Sequence, residues 1–429
     1  MLCRSKPNLH VQRWTLPLPM LELPSELVRR ILDLLDQSSL KQTSLVCSAL
    51  CGPCQELIFA TLTLEHKAGC ADPPAHGQAL ITRYRQNPAI AGYVKHLVIC
   101  ETKWLRRPSH DSWLARDDKF PEAVDLLSLD KLQSFYLDLG RTDLNQLPEG
   151  VKSAVRKICC SPSLTKLELL GAPLSLIDGC SAYLQTLCLR NVHICPTAGS
   201  WRKAAPVHLH YLDIATSNPQ GVITHIVDRL LDPDNNINTT RLVFLHANLD
   251  IRHSLHYNTL NRLIATCAET LRTLSLHLEH NMERCDIDHD ANIDIGSCRF
   301  LTEISISFTM IYSVHGLKRV LSEVLRIFET LSLGNQIETI RLDAHFLGVM
   351  GAEFNEESLG YKQWGLLDTL LSNRERFGRL RKIELDVSDN SRINPLDEPV
   401  AKRFENCMKA LISAGTLEVK YSQGPQLLG

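Results

Sequence analysis

The residues whose types and spacing could do chemistry begin with Cys51-Gly52-Pro53-Cys54, inside VCSALCGPCQEL (46–57). Two cysteines separated by Gly-Pro form the redox pair of dithiol oxidoreductases. There a thiolate at a helix N-terminus attacks a disulfide and its partner resolves the mixed intermediate. That chemistry needs a preceding strand and, usually, a Trp before the first Cys; here Leu50 stands before Cys51 and the upstream stretch reads as helix. A second chemistry is zinc binding, because Cys51-x2-Cys54 followed by His66-x3-Cys70 imitates a knuckle. Between the pairs lies QELIFATLTLE, whose apolar residues fit a helix and a strand, and binding would pull both thiols out of that packing. Context therefore favours a structural role for the CGPC cysteines, with a thiol–disulfide oxidoreductase kept as the remote alternative.

Other chemistry-bearing stretches read more plainly. DPDNNINTT (232–240) starts like a calcium loop with Asp232, Asp234 and Asn236, but Ile237 stands at the turn glycine position and Val243 at the bidentate acid. It reads as a turn. His277, His280, Cys285 and His289 gather in one polar segment, a grouping usually solvated. Asn238-Thr239-Thr240 is a glycosylation sequon expected to go unused. No GxxxxGK[ST] phosphate loop and no GxSxG elbow occurs. No cofactor, metal site or catalytic residue is expected.

The elements that must position these residues follow from pattern and composition. The chain has 429 residues, is 44% hydrophobic and 22% charged, and carries 46 Lys plus Arg against 48 Asp plus Glu. A formal charge of −2 lacks the footprint of a dedicated nucleic-acid binder. The first twenty residues have no apolar signal core, and no run approaches eighteen uncharged apolar residues, so neither secretion nor membrane contact is expected. The 15 cysteines are odd in number and scattered through apolar runs, which reads as buried free thiols in a cytoplasmic or nuclear protein.

Around CGPC the chain reads as three short helices. Leu27, Ile31 and Leu34 recur at i, i+4 and i+7, with Leu35 widening the stripe. Asp36 to Ser39 forms a turn and caps a second helix carrying Leu40, Leu45 and Val46. Gly52 is expected to end that helix and Pro53 to start a third, lined by Cys54, Leu57 and Ile58. So small a unit cannot bury enough surface alone and needs a partner.

In order and spacing, Leu23-Pro24-x-Glu26-Leu27, Ile31-Leu32, Leu35, Leu40 and Leu45-Val46 resemble the F-box motif, and PCQELIFATLTL resembles the third helix and following strand of fungal F-box proteins. Leu50 replaces the Trp that many F-boxes carry. The resemblance covers residues 21–64 and implies docking onto Skp1, and through it a cullin, by Leu23, Pro24, Glu26, Leu27, Ile31, Leu32, Leu35, Leu40, Leu45 and Val46.

Beyond residue 90 one pattern, apolar-x-x-apolar-x-apolar, recurs nine times. It appears as VKHLVI (94–99), LQSFYL (132–137), LTKLEL (164–169), LQTLCL (184–189) and LHYLDI (209–214), then LRTLSL (271–276), LTEISI (301–306), IETIRL (337–342) and LRKIEL (380–385). A weaker copy, RLVFLHANL (241–249), fills the one long gap. Helical stretches such as GVITHIVDRLLD and GLKRVLSEVLRIFETL lie between copies. Strand plus helix, repeated, gives an α/β repeat class: a leucine-rich-repeat-like solenoid. Its period is irregular, and only Asn191 and Asn248 sit near an asparagine-ladder position.

The expected organisation is an N-terminal tail (1–20), the F-box helices (21–64), a linker helix and turn (65–93) and the solenoid (94–429). Aromatic residues in two insertions, Trp104 and Trp113 in 101–122 and Phe354 and Trp364 in 345–365, are the candidate substrate anchors. Together the resemblance and the repeats imply a substrate-recognition subunit of a Skp1–cullin–F-box ubiquitin ligase holding an unknown protein substrate. A non-catalytic repeat scaffold is the alternative.

Overall fold

A computed structural model describes residues 23–66, 75–101, 112–140, 142–194, 206–215, 222–250, 254–280, 292–311, 314–347, 361–389 and 405–423. Its spine is a twelve-stranded, all-parallel sheet whose strands lie side by side in chain order. They are β1 (Thr61–Glu65), β2 (His96–Cys100), β3 (Ser134–Asp138), β4 (Lys166–Leu170), β5 (Thr186–Arg190) and β6 (Tyr211–Ala215), then β7 (Phe244–Asp250), β8 (Thr273–His280), β9 (Glu303–Ile311), β10 (Thr339–Leu347), β11 (Lys382–Asp389) and β12 (Leu417–Gln423). The fold is mixed α/β, as parallel strands require crossover connections. The helices are α1 (Ser25–Asp33), α2 (Gln37–Val46), α3 (Ser48–Ile58), α4 (His76–Gln86), α5 (Trp113–Arg116) and α6 (Phe120–Asp125), then α7 (Glu149–Cys159), α8 (Val222–Leu231), α9 (Ser254–Cys267), α10 (Val314–Glu329), α11 (Tyr361–Leu371) and α12 (Lys409–Ser413).

The recurring pattern has a direct structural meaning. Its last apolar residue is the same register position in every copy: Ile99, Leu137, Leu169, Leu189, Ile214, Leu276, Ile306, Leu342 and Leu385 pair in one row across the sheet. Ala247 of the weak copy holds the same row, which extends to Leu64 in β1 and Val419 in β12. The first apolar residue of each copy, from Val94 to Leu380, is buried just before its strand. The side-chain period of two then sends alternate residues to the opposite face, where most stand at least partly exposed and Cys188 and Asp213 are buried.

Helices fill the apolar side. Val151, Ala154, Val155 and Ile158 make one buried stripe on α7, and Ile223, Ile226, Val227 and Leu230 make another on α8. One continuous core runs from Leu64 to Leu411. A second, separate core belongs to α1–α3 alone, formed by Leu32, Leu40, Leu50 and Cys54 with Val28, Leu35, Cys47, Leu57 and Ile58 against it.

Two expectations change here. The break between the second and third helices falls at Cys47, which is extended at φ −151° and ψ 152°; α3 then runs unbroken through Gly52 and Pro53. The hydrogen bond that Pro53 cannot donate lies one turn inside the helix, where the loss is tolerated because Cys54 anchors the same turn in the core. The expected boundary at residue 64 also moves, since β1 is the first strand of the large sheet and Leu64 belongs to the large core. The linker segment 75–93 packs there too, through Leu80, Ile81, Tyr84 and Ala91.

Candidate partner-binding surfaces

The sequence-predicted docking residues divide between the inside and the outside of α1–α3. Leu32 (0% exposed) and Leu40 (7%) lie in the module's own core, and Leu35 packs against it. Leu32 and Leu40 therefore hold the helices together, and in the free chain they are not on the surface where a docking residue is expected. Leu23, Leu27 and Ile31 are 37–45% exposed, whereas Leu45 and Val46 stand out at 87% and 63%. Leu34, absent from the predicted set, is 86% exposed. Its place three residues after Ile31 was the available signal. Pro24 is the exposed N-cap of α1 and Glu26 lies in its first turn, where an acid favours the helix dipole. Asp36 caps α2 by accepting from the Ser39 amide at 2.7 Å, and that bond lowers its carboxyl pKa.

The module is fixed to the sheet by Glu56 of α3. It accepts from Arg29 Nη1 at 2.9 Å and from Lys95 Nζ, just before β2, at 2.8 Å. The Lys95 hydrogen bond is the main reason that the Glu56 carboxyl titrates below its usual range.

The CGPC cysteines sit one turn apart on α3. Cys51 is half-buried; Cys54 is fully buried, and burial, then the neighbouring Cys51 and Cys47, push its thiol pKa up. A buried thiol with a raised pKa is a poor source of thiolate. Cys70 of the knuckle-like spacing lies outside the described residues. Among the described residues no group of three or more His, Cys, Asp or Glu side chains could hold a metal ion.

The polar face of the sheet carries the densest chemistry. Arg190 on β5 donates from Nη2 and Nε to Asp213 Oδ2 on β6, at 2.7 and 3.2 Å. Asp213 is 1% exposed, so the ion pair is half inside the protein. Next along the same register row, His246 Nδ1 lies 2.9 Å from Ser275 Oγ, and its Nε2 is 3.8 Å from Asp213 Oδ1. Burial outweighs the Asp213 charge and lowers the His246 pKa, which keeps the imidazole neutral.

Ser275, His246 and Asp213 line up like a hydrolytic triad, but the His–Asp gap is too long for a hydrogen bond. The backbone amides around them donate within the sheet ladder, leaving none for an oxyanion. His277–Ser307 at 2.7 Å and His345–Ser388 at 2.5 Å repeat the same cross-strand pair. The pairs therefore read as a structural ladder. Tyr211 stacks on Phe244 at 4.4 Å beside them, and toward the last strands Arg341 joins Glu303 and Glu384 across three strands.

Of the aromatic anchors expected in the insertions, Trp113 and Trp364 are buried. Trp113 is 2% exposed, donates from Nε1 to the Cys100 carbonyl at 3.0 Å and packs edge-on to His76 and Phe120. Trp364 is 0% exposed within α11. Both belong to the large core, carried there by α5 and α11, the described ends of the two insertions. Trp104 and Phe354 lie outside the described residues. DPDNNINTT is a turn, in which Asp232 Oδ1 accepts from the Asp234 amide at 2.9 Å. Among the described residues no helix is long and apolar enough to cross a membrane.

No protein-family model matches this chain, and no curated protein matches it at a significant level.

Proposed function

We propose that the chain is the substrate-recognition subunit of a Skp1–cullin–F-box ubiquitin ligase, with α1–α3 as the F-box and the strand–helix array as a leucine-rich-repeat-like solenoid holding a substrate. The observation that carries this reading is the two-sided build of α1–α3. A unit of about forty residues keeps its own small core and still leaves Leu23, Leu27, Ile31, Leu34, Leu45 and Val46 in solvent. Scattered exposed apolar residues are ordinary, but six on and beside α1 and α2 are many for a unit with four buried core residues. Full burial of one such side chain contributes roughly 1.5–3 kcal/mol. Six of them, some only partly exposed beforehand, recover on the order of 6–12 kcal/mol. That is the size of an association cost of roughly 4–15 kcal/mol, so the helices suit a protein partner.

The sheet supports the other half. A rigid parallel array presents side chains at fixed spacing on its polar face, where the Tyr211–Phe244 stack and the Arg190–Asp213 pair supply the aromatic and Arg groups typical of interface anchors. Holding a substrate there beside a separate ubiquitin-transferring enzyme raises the effective concentration of its lysines, without catalysis by this chain.

Co-expression with Skp1, followed by pull-down and gel filtration, tests the reading. Wild type is expected to form a stable complex that recruits a cullin, and Ile31→Asp or Leu34→Asp to lose it while remaining folded. A folded wild-type chain that ignores Skp1 overturns the proposal, and Skp1 binding without a cullin turns it into the scaffold reading.

A further inference from the structure

A cleft of about 540 Å³ lies where the helical module meets the sheet, between α2, the end of α3, β1 and α4. Its size falls in the range of small-molecule sites. Ile58, Phe59, Leu62, Leu80, Ile90 and Val94 supply an apolar lining. Lys41 from α2 and Arg83 from α4 also line it, and among the described residues no Asp or Glu does. Neither cation is ion-paired among the described residues. Elsewhere at this joint the charges are matched, as in Glu56 with Arg29 and Lys95. Among the described residues the cleft thus holds two positive charges with no acid beside them, over a lining that mixes these apolar side chains with Gln37, Ser44, Gln55, Thr61 and Thr63.

Tyr84 adds an independent observation. It lines the cleft, is 4% exposed, and its hydroxyl has no hydrogen-bond partner. A buried phenol normally finds one, because leaving it unpaired costs stability. Burial pushes its pKa up to about 12, so the group is a neutral donor.

We propose that this cleft binds a small amphipathic anion: an apolar chain or ring, seated on Ile58, Phe59 and Leu62, whose carboxylate or phosphate is taken by Lys41 and Arg83 and completed by the Tyr84 hydroxyl. The same chemistry excludes a neutral lipid, which would leave both cations and the phenol unmatched, and a cation, which they repel. The ligand would bridge α2 and α4, and so lock the module against the sheet. The proposal does not rest on Skp1 binding and survives or fails without it.

Titration calorimetry on the full chain, with decanoate, decyl phosphate and decanol as probes, decides it. At least one of the two anions is expected to bind saturably, and which one identifies the head group. Decanol should bind about tenfold more weakly or worse, since charge-assisted hydrogen bonds are roughly twice as strong as neutral ones. Lys41→Ala with Arg83→Ala, both at exposed positions, should weaken the anion about tenfold while leaving Tm unchanged. Tyr84→Phe should weaken it too, yet leave the ligand-free Tm equal or higher, because it removes an unpaired buried group. Absence of saturable binding by either anion overturns the proposal, as does equal affinity for decanol or for the double variant. A lower Tm in Tyr84→Phe overturns it as well, by showing that the hydroxyl already has an internal partner.

Discussion

Leu32 and Leu34 are two residues apart on one stretch of chain and should behave as opposites when truncated. Leu32 is fully buried in a core of only four buried side chains, and Leu34 is 86% exposed. Leu32→Ala removes buried apolar atoms and leaves a cavity that a three-helix unit can only partly close, at a cost of about 3–5 kcal/mol. This core is separate from the one behind the sheet, so the loss should open α1–α3 without melting β1–β12. With 1.4 kcal/mol per factor of ten, amide protection across α1–α3 should fall by about two to three and a half orders of magnitude. Protection in the sheet should hardly change. Leu34→Ala, a surface change worth about 0.5 kcal/mol or less, should move protection by no more than about twofold. In the proposed complex it should nevertheless weaken Skp1 capture, because Leu34 then acts only at the interface. Hydrogen exchange read by mass spectrometry separates the two. If Leu32→Ala loosens α1–α3 no more than Leu34→Ala, or loosens the whole sheet equally, the division into an autonomous inner core and a free outer face is wrong.

Two further predictions concern charge. Arg190→Ala strands the buried Asp213 carboxylate without its partner and should cost about 1–3 kcal/mol in urea unfolding. Adding Asp213→Asn should recover part of that loss; an Arg190→Ala protein as stable as wild type would show the pair to be idle. The depressed pKa of Glu56 makes its link to Lys95 and Arg29 acid-sensitive. Because the folded value lies below the unfolded one, the stabilisation is fully present above the unfolded pKa, near 4.5, and fades as pH falls through the folded value. The stability difference between wild type and Glu56→Gln should therefore shrink from about pH 6 to pH 3. A difference that stays constant over that range refutes the link.

Much of the architecture was legible in the chain because one physical rule wrote it repeatedly. Each apolar-x-x-apolar-x-apolar copy places two side chains on one strand face and a third just before it, and a parallel sheet buries all three. Local period and regular burial coincide, so nine strands and the helices α8 and α10 could be read from letters alone. The weak copy succeeded for the same reason, with Ala247 small but in register. What failed was any judgement that depended on which way a side chain faces after packing. Within α1–α3 the stripe looks uniformly apolar, yet Leu32 and Leu40 face inward while Leu34 and Leu45 face out, a matter of helix rotation against α3. Trp113 and Trp364 had the composition of interface anchors, and only the packing of α5 and α11 into the large core buried them.

The sequence by itself determined the repeated strand and the three short helices, because each rests on spacing along the chain. Tertiary structure alone decided the rest: that β1 joins the large sheet, that Asp213 and His246 meet across strands, and that Lys41, Arg83 and Tyr84 share one cleft. Those meetings join residues 33 to 43 positions apart or strands separated by a whole helix. No local pattern encodes them, since they follow from the register of packed elements rather than from any element's own sequence.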